Sequence, residues 1–344
     1  MCQMKILITG GAGFIGTNVA RSFGAQHWHL TILDNLSRKG SADNLEWLRQ
    51  TTTFDFIDKD IRDSSLIDTL IAKCRFDVVI HLAGQVAVTT SLEQPRMDLE
   101  VNTLGTFNIL EAIRRYSPET ALLNASTNKV YGTLPKFSIR ECEKRYCFSD
   151  DQPGVTEEEP VDFLSPYGCS KGAAEQYVLD YSRSYGIRSL SFRQSCVYGE
   201  RQFGLEDQGW AAWFLIAHLV GRPITVFGNG KQVRDMLHVD DLVDAYRAAI
   251  RNISSVSGET FNIGGGPENT LSLLEYFEFL ANLSGREVLY SLSESRPGDQ
   301  KIYISDIGRA KSKLSWSPSI DLRSGLRRLY DWVVRNRHIF VNPP

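Results

Sequence analysis

The chain has 344 residues and a formal net charge of -3 at pH 7, with dispersed basic residues that do not favour nucleic acid as a partner. This length suits one large domain or two small ones, and no apolar run approaches the roughly 20 residues that span a bilayer. A first strand within five residues of the start leaves no room for a signal peptide. We therefore expect a cytoplasmic protein without membrane or nucleic-acid partners, whose six cysteines are reduced.

The first predicted element is a strand over 5–9, followed at once by a glycine-rich turn and a helix that includes 17–23. The turn, TGGAGFIG at 9–16, fits both G-x-G-x-x-G and G-x-x-G-x-x-G. Glycines at these spacings allow a tight turn, close approach of backbone to a pyrophosphate, and packing of the helix on the strand. Because the helix N-terminus also offers unpaired N–H groups to phosphates, we predict a dinucleotide site formed by Gly10, Gly13, Phe14, Ile15 and Gly16.

A second apolar strand, over 30–33, ends in Asp34, about 20 residues beyond the glycines. An acid at this place accepts hydrogen bonds from the adenosine ribose hydroxyls, and its charge would repel a 2′-phosphate. The sequence therefore favours NAD over NADP as the cofactor, although Arg38 and Lys39 lie close enough in sequence to leave NADP open.

Strands and helices alternate as far as residue 193, the pattern of a parallel sheet covered by helices on both faces. Strands are predicted over 54–57, 77–82, 121–125 and 189–193, and helices over 64–73, 98–116 and 167–185. Glycine-rich irregular stretches follow. We predict a doubly wound α/β Rossmann domain over 1–193, with returning segments near 236–266. A smaller, discontinuous C-terminal substrate lobe is predicted over 194–235 and 267–344.

Ligands of doubly wound sheets bind beyond the carboxyl ends of the strands, so the residues that follow each strand are site candidates. An acceptor side chain after the third strand suits an adenine, and small residues after the fourth let the backbone approach a cofactor. The cofactor candidates from these segments are Asn35, Asp60, Ile61, Leu82, Ala83, Gly84 and Val197.

Tyr167 and Lys171 stand four residues apart on a helix opened by Pro166, so their side chains share one face. A free tyrosine, with a pKa of about 10, is a poor base at neutral pH. A lysine ammonium beside it should favour the phenolate and lower that pKa. The pair alone is a weak signal, because the same spacing occurs on many solvated helix faces. With the dinucleotide motif and a hydroxyl at Thr127, it predicts proton removal from a sugar hydroxyl beside a nicotinamide.

The cysteines show no metal-binding pattern. Cys142 and Cys147 have no CxxC spacing and no neighbouring histidine, so we interpret them as ordinary loop thiols rather than zinc ligands. Cys169 and Cys196 flank the predicted site, where packing is their expected role.

Together these motifs resemble the extended short-chain dehydrogenase/reductase superfamily and, within it, the NAD-dependent epimerase/dehydratase family, along essentially the whole chain. The resemblance rests on TGGAGFIG at 9–16, DN at 34–35, DI at 60–61, HLAG at 81–84, VYG at 130–132 and the YxxxK pair. Other segments resemble the CDP-paratose 2-epimerase family: DNLSRKG at 34–40, HLAGQVAVTTS at 81–91, STNKVYG at 126–132, SPYGCSKGAAEQY at 165–177, RQFG at 201–204 and GNGKQVRDMLHVDD at 228–241. This resemblance implies NAD-dependent inversion of carbon 2 of CDP-paratose to CDP-tyvelose, by transient oxidation to a 2-keto sugar and hydride return, in O-antigen sugar synthesis.

The resemblance also implies roles for individual residues. Thr127, Tyr167 and Lys171 match the catalytic Ser/Thr, the base and its partner, which also touches the nicotinamide ribose. Asn102 matches a helix asparagine that supports the proton network. The implied substrate contacts, in which arginine forks hold the diphosphate, are Gln85, Thr127, Asn128, Arg201, Gln202, Arg234 and Arg296. Arg234 and Arg296 could equally form surface salt bridges.

Three alternatives are weighed. A dehydratase usually carries Asp-Glu after the catalytic Ser/Thr, where this chain has Asn128 and Lys129, so dehydration is disfavoured. A UDP-sugar 4-epimerase stays open, because the sequence does not fix the orientation of the sugar. Cys196 stands where many such epimerases have a phosphate-contacting Asn, but CDP-paratose 2-epimerases depart there too. A non-catalytic NAD-sensing protein is disfavoured, because such proteins typically lose the tyrosine or lysine and this chain has both.

The resemblance further implies a homodimer or homotetramer paired through helices 98–116 and 167–185.

Overall fold

The computed structural model describes residues 3–149, 152–296 and 299–341. Its strands are β1 (Lys5–Thr9), β2 (His29–Asp34), β3 (Asp55–Asp58), β4 (Val78–His81), β5 (Ala121–Thr127), β6 (Ile139–Glu141), β7 (Tyr146–Phe148), β8 (Ser189–Gln194), β9 (Cys196–Tyr198), β10 (Thr225–Phe227), β11 (Val233–His238), β12 (Thr260–Ile263), β13 (Thr270–Ser272), β14 (Ser291–Ser293) and β15 (Ile302–Tyr303). Its α-helices are α1 (Phe14–Gly24), α2 (Ser41–Thr51), α3 (Ser64–Cys74), α4 (Val88–Glu93), α5 (Pro95–Leu99), α6 (Gly105–Tyr116), α7 (Ser165–Tyr185), α8 (Trp210–Val220), α9 (Val239–Val256), α10 (Leu273–Ser284), α11 (Gly308–Leu314), α12 (Leu322–Arg335) and α13 (Arg337–Val341). None of these helices is both long and apolar enough to cross a membrane.

A seven-stranded parallel sheet with the order β12-β8-β5-β4-β1-β2-β3 forms the centre of the molecule. The chain winds outward from β1 to β3, then returns to place β4 on the other side of β1. Adjacent strands that diverge in this way open a crevice at their carboxyl ends, where such sheets bind ligands. The sheet confirms the predicted doubly wound α/β fold. One edge of the sheet is β12, which lies in the segment near 236–266 between the two predicted parts of the substrate lobe.

The apolar run of β1 is explained by burial on both faces. Ile6 and Ile8 pack in one cluster with residues of α1 and α9, whereas Leu7 packs in another with residues of α3 and α6. Because successive strand side chains point to opposite faces, a strand covered on both sides must be apolar throughout.

A third apolar cluster joins α8, α10 and α12 and includes Phe214, Tyr276 and Trp332. Small sheets accompany it: β11 pairs with β9, β13 and β15, and β10 pairs with β14. These elements occupy the segments predicted for the substrate lobe, and the division of the chain into lobes stays a prediction.

The helix predicted over 98–116 is not one regular α-helix. A π-helical turn, Glu100–Leu104, separates α5 from α6. Single π turns inside helices are frequent at functional sites, because the extra residue re-aims the side chains around it. Asn102 lies in this turn.

Candidate active site

The turn between β1 and α1 has the shape of a phosphate cradle. Gly10 has φ +68°, and a Cβ on it would lie 2.6 Å from the Ala83 nitrogen; a Cβ on Gly16 would collide with the Gly10 carbonyl oxygen. Gly13 precedes α1 in an extended conformation without a side-chain cap, so the first N–H groups of α1 are left for a ligand. These contacts fit the pyrophosphate of a dinucleotide.

Asp34 lies at the end of β2, as predicted for a ribose acceptor. Its carboxylate accepts hydrogen bonds from the backbone N–H groups of Ala12 at 3.0 Å and Leu36 at 2.8 Å, which orient it, while burial raises its pKa. The two residues that left NADP open, Arg38 and Lys39, both line the crevice, and Arg38 donates to the side chain of Gln208. The arrangement fits the adenosine ribose of NAD.

The neighbouring acid, Asp60, is already paired. Its carboxylate accepts from the Arg62 guanidinium at 3.0 and 2.9 Å and from Asn35 at 2.9 Å, and the bonds to Arg62 are the largest cause of its lowered pKa. Asn35 therefore positions Asp60, and since each carboxylate oxygen already accepts two hydrogen bonds, a contact to an adenine would have to replace one of them.

One continuous crevice collects most of the predicted residues. Its lining includes the cofactor candidates Gly10, Gly13, Phe14, Ile15, Gly16, Asp34, Asn35, Asp60, Ile61, Leu82, Ala83 and Gly84, the pair Tyr167 and Lys171, and the substrate candidates Gln85, Arg201 and Gln202. Outside that lining lie Asn102, Thr127, Asn128, Val197, Arg234 and Arg296.

Tyr167 is almost fully buried. Burial raises the pKa of Tyr167 to about 12, while the nearby Thr127 hydroxyl has a lowering effect. The expectation that Lys171 lowers this pKa is wrong for the chain by itself, because the Lys171 Nζ donates to the Ala125 carbonyl at 2.6 Å and has no resolved effect on the phenol.

The Lys171 ammonium is also buried, and burial lowers its pKa to about 8, while Asp98 and Glu175 raise it. A Cβ on Gly84 would lie 3.4 Å from Nζ. Because Gly84 has no side chain, the backbone after β4 can lie against Lys171, where Tyr167 and Lys171 line the crevice.

Asp98, which the sequence did not single out, is the centre of a buried hydrogen-bond network. Its carboxylate is 0% exposed and accepts from Gln85 Nε2 at 2.8 Å, Asn102 Nδ2 at 3.3 Å and the Ser170 hydroxyl. An acid among polar helix residues is usually solvated, so the position of Asp98 in the sequence did not indicate that its carboxylate is buried. Its four-residue spacing from Asn102 was the available signal, since such pairs share a helix face.

This network restricts the role of Gln85 and defines that of Asn102. The Gln85 side chain donates both N–H groups, to Ala87 and Asp98, and accepts from the Ala87 N–H, so only the second acceptor site of its amide oxygen is left for the predicted substrate contact. Asn102 bonds both backbone groups of Gln85, at 2.9 and 3.0 Å. It positions the loop after β4 and Ser170, instead of reaching into the crevice itself.

Two hydroxyls lie at the end of β5. Thr127 accepts from the Lys129 N–H at 3.2 Å and contacts the Asn128 amide at 3.4 Å. The Ser126 hydroxyl lines the crevice and is buried without a hydrogen-bond partner among the described residues. A buried polar group of this kind is costly unless a ligand satisfies it, so Ser126 joins the candidate site, which the sequence analysis had missed.

Cationic side chains gather on the substrate side. Arg234 Nη2 lies 2.7 Å from the Asp299 carboxylate, and Lys129 Nζ lies 3.6 Å from it. Burial raises the pKa of Asp299, but these two cations outweigh burial and hold that pKa below its usual value. Arg296 stacks over Phe227 at 4.0 Å. Arg234 therefore forms a salt bridge, but as a buried side chain and not on the surface as its alternative had it. A single carboxylate leaves this cluster of cations with a net positive charge.

The neighbouring Arg201 and Gln202 lie within the crevice. Arg201 stacks on Trp47 at 4.3 Å, and its Nε is buried without a partner in the described ranges. Burial lowers its pKa to about 10. Gln202 Nε2 donates to the Val197 carbonyl at 3.2 Å, so Arg201 offers the stronger interaction with an anionic ligand.

Comparison with known proteins agrees with this geometry. Residues 6–264 match the sequence model of the NAD dependent epimerase/dehydratase family. The chain is 45% identical over 334 residues to a CDP-paratose 2-epimerase from Salmonella typhi, covering 96% of this chain and 99% of the relative. It is 35% identical to a putative UDP-glucose 4-epimerase from Methanocaldococcus jannaschii, with the same coverage.

Two solved structures share the fold over 97% of this chain and 100% of their own. They are the UDP-glucose 4-epimerase of Thermotoga maritima with UDP-glucose (TM-score 0.84, 30% identity) and the UDP-glucuronic acid 4-epimerase of Bacillus cereus with UDP-glucuronic acid and NAD (TM-score 0.83, 29% identity). The crevice, its dinucleotide cradle and these similarities lead to one conclusion. The chain belongs to the NAD-dependent epimerase/dehydratase family, in the extended short-chain dehydrogenase/reductase superfamily.

Proposed function

We propose that this protein is an NAD-dependent epimerase that inverts carbon 2 of CDP-paratose to give CDP-tyvelose, for O-antigen sugar synthesis. The observation that carries the proposal is the 45% identity to a CDP-paratose 2-epimerase along nearly the full length of both chains. The proposal is also supported by Tyr167 and Lys171, which line the same crevice as the dinucleotide cradle.

The chemistry has to begin with oxidation. Carbon 2 of this sugar has no neighbouring carbonyl, so its C–H bond is not acidic and direct proton removal would be very slow. NAD, when bound, supplies a reversible hydride acceptor. The protein must therefore hold the cofactor, remove a proton from the O2 hydroxyl, return it later, and keep water out meanwhile.

Tyr167 is the proposed proton acceptor. The Thr127 hydroxyl lowers the pKa of this phenol, and we propose that it also contacts the sugar oxygen and passes the proton on. Because the phenol has a pKa of about 12 in the chain alone, proton transfer requires positive charge nearby. Lys171 supplies part of that charge from the same helix face, where Asp98 helps to keep it protonated.

The nucleotide part of the substrate provides the anchor. We propose that Arg234, Lys129 and Arg296 hold the diphosphate, and that Arg234 and Lys129 exchange their present contacts to Asp299 for it. Binding energy from this remote group keeps the molecule in place while the oxidised sugar turns to present its other face. Lys129 also stands where dehydratases usually carry an acid, which disfavours elimination of water.

Proton NMR of the purified protein with CDP-paratose in D₂O, without added cofactor, tests the proposal. We expect CDP-tyvelose that retains its carbon 2 proton, because the hydride leaves and returns without exchange with solvent. Deuterium at carbon 2 would refute internal hydride return. No reaction with CDP-paratose but turnover of UDP-glucose would identify a 4-epimerase instead, consistent with the 35% identity to a putative UDP-glucose 4-epimerase.

We also propose a homodimer paired through α5–α6 and α7, which can assemble further into a tetramer. Large apolar side chains are exposed on these helices and the neighbouring α4: Leu92, Leu99, Leu104, Tyr116, Tyr177 and Tyr185. An exposed apolar group of this kind is typical of a surface that another protein covers. The proposal keeps the cytoplasmic location predicted from the sequence, which cell fractionation checks.

A further inference from the structure

Two cysteines face each other on the hairpin formed by β6 and β7. The strands are antiparallel, with Arg140 opposite Cys147. Cys142 follows β6 and continues the ladder, because its N–H donates to the Arg145 carbonyl at 2.8 Å. Strand alternation puts Cys142 on the same face as Arg140. Cys142 and Cys147 are therefore diagonal neighbours, and their sulfur atoms lie 2.6 Å apart.

The position of this pair is favourable for oxidation. Both thiols are half-buried, within reach of a small reagent and close enough to each other to leave no room for an intervening group. The other described cysteines lie in separate elements: Cys74 in α3, Cys169 in α7 and Cys196 in β9. The interpretation of Cys142 and Cys147 as ordinary loop thiols did not include their proximity.

We propose that Cys142 and Cys147 form an oxidisable dithiol, which peroxide closes to an intramolecular disulfide that fastens the hairpin. One sulfur attacks a peroxide oxygen and becomes a sulfenic acid, with release of water. The second sulfur attacks the first, forms the S–S bond and releases a second water. The two thiols thus lose two electrons and two protons, and both are accepted by hydrogen peroxide.

The reaction should accelerate with rising pH, because the attacking species is a thiolate. Burial and the neighbouring Cys142 raise the pKa of Cys147, while Arg145 and Arg140 oppose that rise. Attack on peroxide by Cys147 should therefore be slow near neutral pH. We expect the dithiol to stay reduced in a reducing compartment and to close when oxidant accumulates.

The disulfide would span a segment that is docked on other parts of the chain. Within it, the Tyr146 N–H donates to the Lys231 carbonyl at 2.9 Å, and Arg145 donates to Thr270 at 2.7 Å. The Ser272 hydroxyl donates to the Lys144 carbonyl at 2.7 Å. The bond would close a short loop that already has its native shape, so it should restrict opening of the hairpin while leaving these contacts in place.

Peptide mapping after oxidation tests the proposal. The purified protein is treated with hydrogen peroxide, free thiols are blocked with N-ethylmaleimide, and trypsin cuts after Lys144 and Arg145, between the two cysteines. We expect the flanking peptides to stay joined, lighter by two hydrogen atoms than their reduced sum, and to separate with dithiothreitol. Complete alkylation of both cysteines after oxidation would overturn the proposal.

Variants identify the pairing and its effect. Cys142→Ser should abolish the joined peptides, whereas Cys169→Ser should retain them, because Cys169 lies in α7, away from the hairpin sequence. Oxidation should raise the Tm of the unmutated protein by at least about 2 °C and leave that of Cys142→Ser unchanged. Pairing of Cys142 with another cysteine, or a disulfide without any rise in Tm, would contradict the inference.

Discussion

Burial acts in opposite directions on the two residues of the YxxxK pair. It raises the pKa of Tyr167 to about 12 and lowers that of Lys171 to about 8, since a low-polarity environment disfavours whichever form is charged. The side chains share a helix face as predicted, but Asp98 and Glu175, rather than the phenol, oppose the effect of burial on the pKa of the lysine. Single substitutions should therefore distinguish the loss of the proton acceptor from the loss of the charge that supports proton transfer.

Tyr167→Phe should lower kcat by about 10³-fold, because it removes the proposed proton acceptor. Bound NAD should be retained, since the cradle around Gly10 and Gly16 is unchanged. Turnover by NMR and the NAD released on denaturation measure the two effects. Tyr177→Phe, an exposed position on the same helix, is the matched control and should keep full activity. A Tyr167→Phe variant with near-native kcat would eliminate the base assignment.

Asp98→Asn should shift the alkaline fall in kcat/KM to lower pH. Lys171 loses its charge as pH rises through its pKa of about 8, and Asp98 and Glu175 are the acids that raise that pKa. Glu175 is already paired with Arg193. His81, which also interacts with Lys171, is neutral because its pKa is lowered to about 3. Removing Asp98 therefore leaves Lys171 easier to deprotonate.

The pH–rate profile distinguishes this role of Asp98 from a structural one. Asp98→Glu, which keeps the charge, should restore the alkaline limb at least in part. If Asp98→Asn instead lowered kcat/KM equally at every pH, Asp98 would only hold the fold of the network.

At the scale of elements, two departures from regular structure build the site. The turn between β1 and α1 needs glycine where the backbone meets the loop after β4, and the π turn Glu100–Leu104 aims Asn102 at that loop. Both bring segments from different strands together at one edge of the sheet. Close backbone approach is therefore as important to the crevice as any side chain.

Gly10→Ala should destabilise the protein by at least about 3 kcal/mol and weaken NAD retention, because the new Cβ would strain the backbone and collide with Ala83. Gly186→Ala is a matched control: Gly186 has φ +69°, close to the +68° of Gly10, but nothing lies within 4 Å of its Cβ position. The control should lose only about 1–2 kcal/mol. Urea unfolding measures both, and equal losses would show that crowding at Gly10 is unimportant.

For the whole molecule, the proposed dimer surface and the proposed catalytic residues share a helix. α7 carries Tyr167 and Lys171 on its buried side and Tyr177 and Tyr185 on its exposed side. A second subunit covering that surface would therefore support the helix that holds Tyr167 and Lys171.

Leu99→Glu combined with Leu104→Glu should convert the proposed dimer into monomers, because burying two carboxylates in an apolar interface is costly. Light scattering after size exclusion measures the mass. Leu289→Glu is the control, since Leu289 is 76% exposed but lies outside these helices, and it should remain dimeric. A monomeric unmutated protein would refute the interface.

Local patterns predicted the elements well where one physical cause dominates. The strand over 5–9 is β1 as predicted, and the helix over 167–185 begins two residues earlier, at Ser165. Burial on both faces makes such strands continuously apolar, and Pro166 favours a helix start. The helix over 98–116 was predicted as regular because a π turn leaves no clear mark on hydrophobic spacing.

By itself, the sequence determined the fold class, the dinucleotide cradle, Asp34 and the YxxxK pair, because each depends on residues close together in the chain. Only the tertiary structure decided which groups meet: Asp98 with Gln85 and Ser170, Ser126 with the crevice, and Asp299 with Arg234 and Lys129. It likewise decided that Tyr167 has a raised rather than a lowered pKa. Packing of the whole chain brings distant segments into hydrogen-bond contact and buries the groups whose pKa values shift. Neither result can be predicted from the spacing of residues that are close together in the sequence.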